Sequence, residues 1–216
     1  MPSDREKQLA AEAAAELVAD GMRVGLGTGS TVAHLLPALA RRGLSLRCVA
    51  TSLATEEAAR GLGLVVESFS GAGALAQLDV AIDGADQVAP SGWVVKGGGA
   101  AHTREKAVAA AAARFVVIVS SDKLVERLQP PVPLELLEFG LAATVARIGS
   151  VELRDAPRSP DGGVIADYTG PVDDPAALAA QLSATTGVVE HGLFPSDLVS
   201  DVVIGRGGEI DHRRLR

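Results

Sequence analysis

Short, almost wholly apolar runs alternate with alanine-rich stretches through the first half of the chain, and this alternation constrains the fold more than any other feature. Met22–Gly27, Leu46–Ala50, Leu64–Glu67, Asp79–Asp83, Trp93–Lys96 and Phe115–Val119 read as strands, because they are brief, rich in branched residues and bounded by turn formers. Leu9, Ala13 and Leu17 recur every four residues and place one apolar stripe on an amino-terminal helix. Ser3 and Glu6 have capping-box spacing at its start, and Gly21 is placed to end it. Ser30 to about Arg42 and about Ala100–Ala113 read as further helices. Pro37 deletes one backbone bond inside the former and predicts a kink. Strands that are apolar on both faces belong in a sheet covered on both sides. The expected class is therefore α/β, with a mostly parallel, doubly wound, Rossmann-like sheet.

The rhythm changes at Gln129-Pro130-Pro131-Val132-Pro133, where three prolines in four positions suit a crossing between domains. Beyond it, strands at Leu134–Leu136, Val151–Arg154, Val164–Tyr168 and Val188–Glu190 are interleaved with helices near Phe139–Ile148 and Asp174–Ala184. The order β-α-β-β-α-β is that of a split βαβ, ferredoxin-like unit. Asp201–Gly205 reads as a strand that rejoins the first sheet. The expected division is residues 1–128 plus 201–216 as a Rossmann-like catalytic domain and 129–200 as a smaller α+β domain used for assembly.

Composition narrows the function. Twenty Lys+Arg against 27 Asp+Glu leave a net charge of −7, and only 3% of residues are aromatic. No broad basic face or set of stacking rings for nucleic acid is expected. Cys48 is the single cysteine, which excludes an intramolecular disulfide and a thiolate zinc cluster. His34, His102, His191 and His212 lack metal-ligand spacing, and no metal or other cofactor is expected. The segment MPSDREKQLA lacks the apolar core of a signal peptide. No apolar run approaches the ~18 residues of a membrane span. A cytoplasmic protein with no membrane partner is the resulting expectation.

Four segments at predicted carboxyl ends of strands could carry chemistry, which is where open parallel sheets bind ligands. Gly25-Leu26-Gly27-Thr28-Gly29-Ser30-Thr31 joins a strand to a helix. It offers hydroxyls and helix-terminal N–H groups to an anion, although a tight turn with an N-cap fits it equally well. A dinucleotide fits poorly: Ser30 replaces the last glycine of G-x-G-x-x-G, and Ala50-Thr51-Ser52 lacks the ribose-binding acid. Asp83-Gly84-Ala85-Asp86 could aim two carboxylates into one cleft, raising one pKa; locally, a turn with Asp86 as a cap is the simpler reading. In Lys96-Gly97-Gly98-Gly99-Ala100-Ala101-His102-Thr103-Arg104-Glu105-Lys106, a lysine ends an apolar strand beside three glycines. Such a lysine can hold an anion or stabilise an enolate. Glu105 on local grounds merely favours the helix dipole, Arg104 and Lys106 suit ion pairs, and a lone His102 is more often structural than cleft-facing. Lys123, after Val117–Asp122, offers a second positive charge or a plain surface lysine.

Taken together, these segments resemble ribose-5-phosphate isomerase of the A type. The matching pieces run in the family's order: Gly27-Thr28-Gly29-Ser30-Thr31, Thr51-Ser52 with Thr55, Asp83-Gly84-Ala85-Asp86, Lys96-Gly97-Gly98-Gly99-Ala100, Arg104-Glu105-Lys106, Lys123 and Gly192-Leu193-Phe194. The resemblance implies interconversion of D-ribose 5-phosphate and D-ribulose 5-phosphate in the pentose phosphate pathway, without a metal, by a two-domain subunit assembled as a homodimer or homotetramer. It implies Glu105 as the base moving a proton between C2 and C1. It further implies Asp83 in ring opening and hydroxyl-proton transfer, and Lys96 with Asp86 beside it stabilising the enediolate. Thr28, Gly29, Ser30, Thr31, Gly84, Ala85, Gly97, Gly98, Gly99, Lys123 and Lys7 are the implied substrate-binding residues. The chain departs from the family pattern at Gln87, Ser120-Ser121-Asp122, Glu138 and Pro37, none of which removes a catalytic group. The main rival is a phosphosugar sensor without turnover, against which Asp83, Asp86, Lys96 and Glu105 speak. A dehydrogenase is more remote and would need a nicotinamide site.

Overall fold

The computed structural model describes residues 4–216. In chain order the elements are α1 (Asp4–Ala15), β1 (Arg23–Leu26), α2 (Val32–Arg41), β2 (Arg47–Ala50), α3 (Leu53–Gly61), β3 (Val80–Asp83), β4 (Gln87–Val88), β5 (Val94–Val95), α4 (His102–Ala110) and β6 (Phe115–Ser120). A single 3-10 turn, Ser121–Lys123, follows β6. The second half adds β7 (Val132–Leu136), α5 (Leu141–Ile148), β8 (Val151–Leu153), β9 (Val164–Tyr168), α6 (Pro175–Ser183), β10 (Val188–His191), β11 (Leu193–Phe194), β12 (Asp201–Arg206) and β13 (Glu209–Arg214).

The central sheet has the order β13-β12-β6-β3-β1-β2. All its neighbours are parallel except the β12–β13 hairpin. Alternation along each strand sends side chains to two cores. Val80, Ile82, Val116 and Ile118 meet the alanine faces of α1 and the leucines of α2 on one side. Ala81, Phe115, Val117 and Val119 meet Val108 and Ala109 of α4 on the other. Both faces are thus covered, as the apolar strands predict. The open edge is β13, whose exposed charged residues oppose further pairing.

A second sheet, order β10-β7-β9-β8, is antiparallel throughout. It packs on its own apolar cluster, which includes Leu134, Leu136, Leu178 and Leu182. A three-stranded ribbon, β11-β5-β4, is paired separately and packs Val88, Val94 and Phe194 into the core of the first sheet and Val95 and Leu193 into that of the second.

Several expectations are corrected. Trp93–Lys96 supplies only β5, and it joins the ribbon rather than the parallel sheet. The cause is the tight connection from β4, with Gly92 at φ +83°, which makes the two neighbours antiparallel. Leu64–Glu67 forms one parallel bridge, Cys48 with Val66, before glycine-containing chain leads away. Gly21 lies past the end of α1 and closes a later turn at φ +78°, where its N–H bonds Ser45 O. The helix around Pro37 continues to Arg41. Ser3 lies outside the described residues. The Glu6 carboxylate accepts from Ser121 N (3.0 Å) and Gly207 N (2.7 Å), tying α1 to the carboxyl ends of β6 and β12.

Candidate active site

In the central sheet the chain passes from β1 outward to β2, then returns across to β3 on the other side of β1. Adjacent strands whose connections leave in opposite directions open a crevice at their carboxyl ends. The Gly27–Thr31 loop leaves β1 there, and Asp83 ends β3. The loop after the ribbon strand β5 closes over the same crevice. The result is a cleft of about 270 Å³ lined by Lys7, Thr28–Thr31, Gly84–Asp86, Lys96–Gly99, Glu105, Asp122 and Lys123. Of the predicted site residues only Asp83 is absent from this lining, because it lies beneath it, 3% exposed.

The floor is a buried trio. Lys96 Nζ lies 2.9 Å from Asp83 Oδ2 and 3.0 Å from Glu105 Oε2, and donates to Gly84 O at 2.7 Å. Lys96 and Glu105 are only 3% and 5% exposed. Asp83 Oδ1 accepts from Thr28 N (3.0 Å) and Gly84 N (2.7 Å). This approach demands glycine at 27, where a Cβ would stand 1.9 Å from Asp83 Cγ. Glu105 enters from the first turn of α4, not from the surface its local sequence suggests. Its Oε2 has no aligned hydrogen-bond donor among the described residues, so the contact with Lys96 is an ion pair rather than a directed hydrogen bond.

These surroundings divide the acids. Burial first, and then the charge of Asp83, push the Glu105 carboxyl up to about 7 against the pull of Lys96. Burial also raises Asp83, but Lys96 and the N–H groups of Gly84 and Thr28 pull it back. Among the described residues no such N–H donor is aligned on Glu105 Oε2 to counter the rise that burial imposes. Burial works against the Lys96 ammonium, yet the two carboxylates outweigh it and hold its pKa above the usual lysine value.

Asp86 is not the partner of Lys96. Its side chain is exposed on the rim and accepts from Gly98 N at 2.8 Å. The pKa-raising pair is therefore Asp83 with Glu105, two groups 22 positions apart in sequence that only the tertiary fold joins. His102 is fully buried under the glycine loop instead of facing the cleft, with no aligned partner for either ring nitrogen among the described residues. Burial and then Lys106 lower its pKa to about 4, which keeps it neutral. Arg104 pairs with Asp161 and Lys106 with Glu190, as ion-pairing residues. Among the described residues no group of three or more His, Cys, Asp or Glu is arranged to hold a metal.

At the loop after β1, Lys7 Nζ donates to Ser30 Oγ at 3.0 Å, and Thr28 Oγ1 meets Thr51 Oγ1 at 2.8 Å. Thr31 begins α2 without a side-chain cap of its own. Lys123 sits on the turn after β6. Two features escape a reading of the sequence without the resemblance. Gly192 takes Lys96 N–H on its carbonyl at 2.9 Å, and a Cβ there would stand 2.1 Å from Lys96 O. Phe194, wholly buried, places its ring 5.5 Å from Lys96 Nζ and 5.0 Å from Lys106 Nζ, an apolar wall with a weak attraction for both cations.

The fold and sequence have close counterparts. The family model described as ribose 5-phosphate isomerase A (phosphoriboisomerase A) matches residues 47–209. The ribose-5-phosphate isomerase A of Caulobacter sp. (strain K31) is 44% identical over 220 residues, spanning 95% of this chain and 96% of the relative. That of Halobacterium salinarum (strain ATCC 29341 / DSM 671 / R1) is 47% identical over 205 residues, spanning 89% and 88%. The crystal structure of ribose 5 phosphate isomerase A from Neisseria gonorrhoeae superposes with a TM-score of 0.92 at 32% identity, covering 100% of this chain and 99% of that one. A cleft at the switch point, a buried carboxylate–ammonium–carboxylate floor and similarity over nearly the whole length converge on one assignment: the chain belongs to the ribose 5-phosphate isomerase A family.

Proposed function

We propose that this chain interconverts D-ribose 5-phosphate and D-ribulose 5-phosphate through an enediolate, with Glu105 as the base. The observation that carries the reading is the buried Asp83–Lys96–Glu105 trio at the floor of the cleft. A base whose pKa lies near 7 can both take and return a proton at neutral pH. In the open-chain aldose, Glu105 removes the proton from C2, the C1–C2 double bond forms, and the electrons of the carbonyl settle on O1. Returning that proton to C1 while the O2 hydroxyl proton passes to O1 yields the ketose. Asp83, beside Lys96, is suited to relay the hydroxyl proton and to open the sugar ring. The Lys96 ammonium offsets the negative charge on the enediolate oxygens, and fixed charge in a dry site lowers the barrier more than it would in water.

Lys7, Ser30 and Thr31, with Thr28, Gly29 and Lys123, are suited to the phosphate, since two ammoniums and several hydroxyls line the cleft there. Gly84, Ala85, Asp86 and Gly97–Gly99 are suited to the sugar hydroxyls. The sheet orders support a division into residues 1–128 plus 201–216 and a ferredoxin-like unit of 129–200. Phe139, 94% exposed, with Leu137, Leu153 and Val189 supports assembly into a homodimer or homotetramer through that unit. No helix among the described residues is long and apolar enough to cross a membrane, and we place the enzyme in the cytoplasm. The test is direct: purified protein given ribose 5-phosphate should form ribulose 5-phosphate, and saturable binding without any product would favour a sensor instead.

A further inference from the structure

The glycine loop after Lys96 takes positive φ at two positions, one that glycine accepts freely and one that an alanine does not favour. Gly97 has φ +107°, and Ala100, which has a side chain, has φ +60°. Backbone of this kind persists only where the surroundings over-determine it. Part of that restraint comes from Asp86, which receives Gly98 N–H at 2.8 Å. Ala100 N–H adds a turn bond to Gly97 O at 3.0 Å, and the second sheet supplies a further restraint. Arg154, the residue after β8, donates Nη1 to Gly97 O at 3.0 Å and to Gly98 O at 3.2 Å. Its other edge is locked by Asp167 of β9, with Nε to Oδ2 and Nη2 to Oδ1 both at 2.6 Å. A rigid, bidentate fork of this kind fixes direction as well as distance.

A planar trans peptide that turns its carbonyl one way turns its N–H the other. With the carbonyls of Gly97 and Gly98 drawn to Arg154, the N–H groups of Gly98 and Gly99 point to the opposite side. Gly98 N–H there meets Asp86, a residue of the cleft rim. We propose that Arg154, oriented by Asp167, is a positioning residue that sets the Gly97–Gly99 loop over the substrate, so that the second sheet helps shape the cleft rather than serving assembly alone. The proposal rests on the isomerase reading above.

The experiment is steady-state kinetics on ribose 5-phosphate with melting temperatures for R154Q, R154K, D167N and the control R104Q. Arg104 also bridges to the second unit, through Asp161 at 2.8 Å and Pro160 O at 3.4 Å, but among the described residues it makes no hydrogen bond to a carbonyl of the glycine loop. R154Q is expected to lose roughly 10- to 100-fold in kcat, the scale of a small misplacement of groups around a reacting centre. Its acid-side pH midpoint should stay in place, because Arg154 does not touch Glu105. R154K should recover little, since one ammonium cannot hold Asp167 bidentately and span two carbonyls. D167N should fall in the same direction by less, and decides the matter if R154Q does not fold. R104Q should keep kcat. Wild-type kcat in both R154Q and D167N, with only the melting temperature lowered, overturns the proposal. Absence of turnover in the unaltered protein would instead strike the isomerase reading on which it rests.

Discussion

Lys96 Nζ stands 3.0 Å from Glu105 Oε2 across the floor of the cleft, although one residue directly follows a ribbon strand and the other lies on the first turn of a helix. The three glycines between them make this approach feasible, because Gly97 takes the positive φ at which the chain reverses.

Replacing Glu105 with Gln removes the proton acceptor but keeps the shape and leaves Asp83 and Lys96 as a neutral pair. Turnover of ribose 5-phosphate should drop about 10²- to 10⁴-fold, the usual weight of a general base, with the fold retained by circular dichroism. Near-normal turnover would reject Glu105 as the base.

The pH dependence follows from the same residue. Glu105 must be ionised to act, so kcat/KM should rise with pH through a midpoint near 7 and flatten above it. Stability should move the other way. The folded state holds the Glu105 proton up to about pH 7, whereas a carboxyl with the usual value of 4.5 has lost it well below that. Between those values the native state binds more protons, and stability falls as pH rises. The E105Q protein, lacking the buried charge, should therefore gain on wild type from pH 4 to pH 8, by on the order of 3 kcal/mol at most. Chemical denaturation at the two pH values measures this; a constant difference would show that Glu105 is not perturbed.

Lys96→Met should abolish measurable isomerisation and destabilise the protein at pH 8. Two buried carboxylates would then lack their counter-charge, a loss of roughly 3–5 kcal/mol when one partner of a buried pair is removed. The loss should shrink at pH 5, where Glu105 is protonated. Equal destabilisation at both values would mean that packing, not charge, explains the effect.

Gly27→Ala adds a methyl 1.9 Å from Asp83 Cγ, so the carboxyl must move. A decrease in kcat is expected together with about 1–3 kcal/mol of lost stability from overpacking. Gly29→Ala, whose added Cβ meets nothing within 4 Å but which sits at φ +125°, should strain the phosphate loop and raise KM without displacing Asp83. Equal kinetics in the two variants would argue against Asp83 as the affected group.

Chelator should leave activity unchanged, because the Lys96 ammonium already occupies the space between Asp83 and Glu105 where a cation would be needed. Loss of turnover in EDTA with recovery in one divalent ion would contradict the proton-transfer scheme.

Much of the fold was readable without coordinates because it depends on local periodicity. The apolar strands, the alanine-rich helices and the change of rhythm at the proline run each carry their signal within ten or fifteen residues. The β-α-β-β-α-β order after residue 129 appears with boundaries shifted by a residue or two. Less visible were β5, whose three apolar residues and closing lysine look like a central strand until Gly92 reverses the chain, and α3, whose residues Leu53–Gly61 lack a strong apolar stripe.

The site divides in the same way. Residue type and glycine spacing marked Lys96 and its glycines, since a charge ending an apolar strand leaves a mark in the sequence, whereas Asp83 and the Gly27–Thr31 loop read equally or better as turns until the four segments are considered together. Which acid faces the lysine was settled by three dimensions: Asp86 turns to Gly98 on the rim, while Glu105, a surface residue by its neighbours, is carried inward by α4. Arg154, more than fifty residues beyond the loop it grips, has no local mark at all. Charge pairing and desolvation depend on distances between segments, and those distances exist only once the sheets have packed.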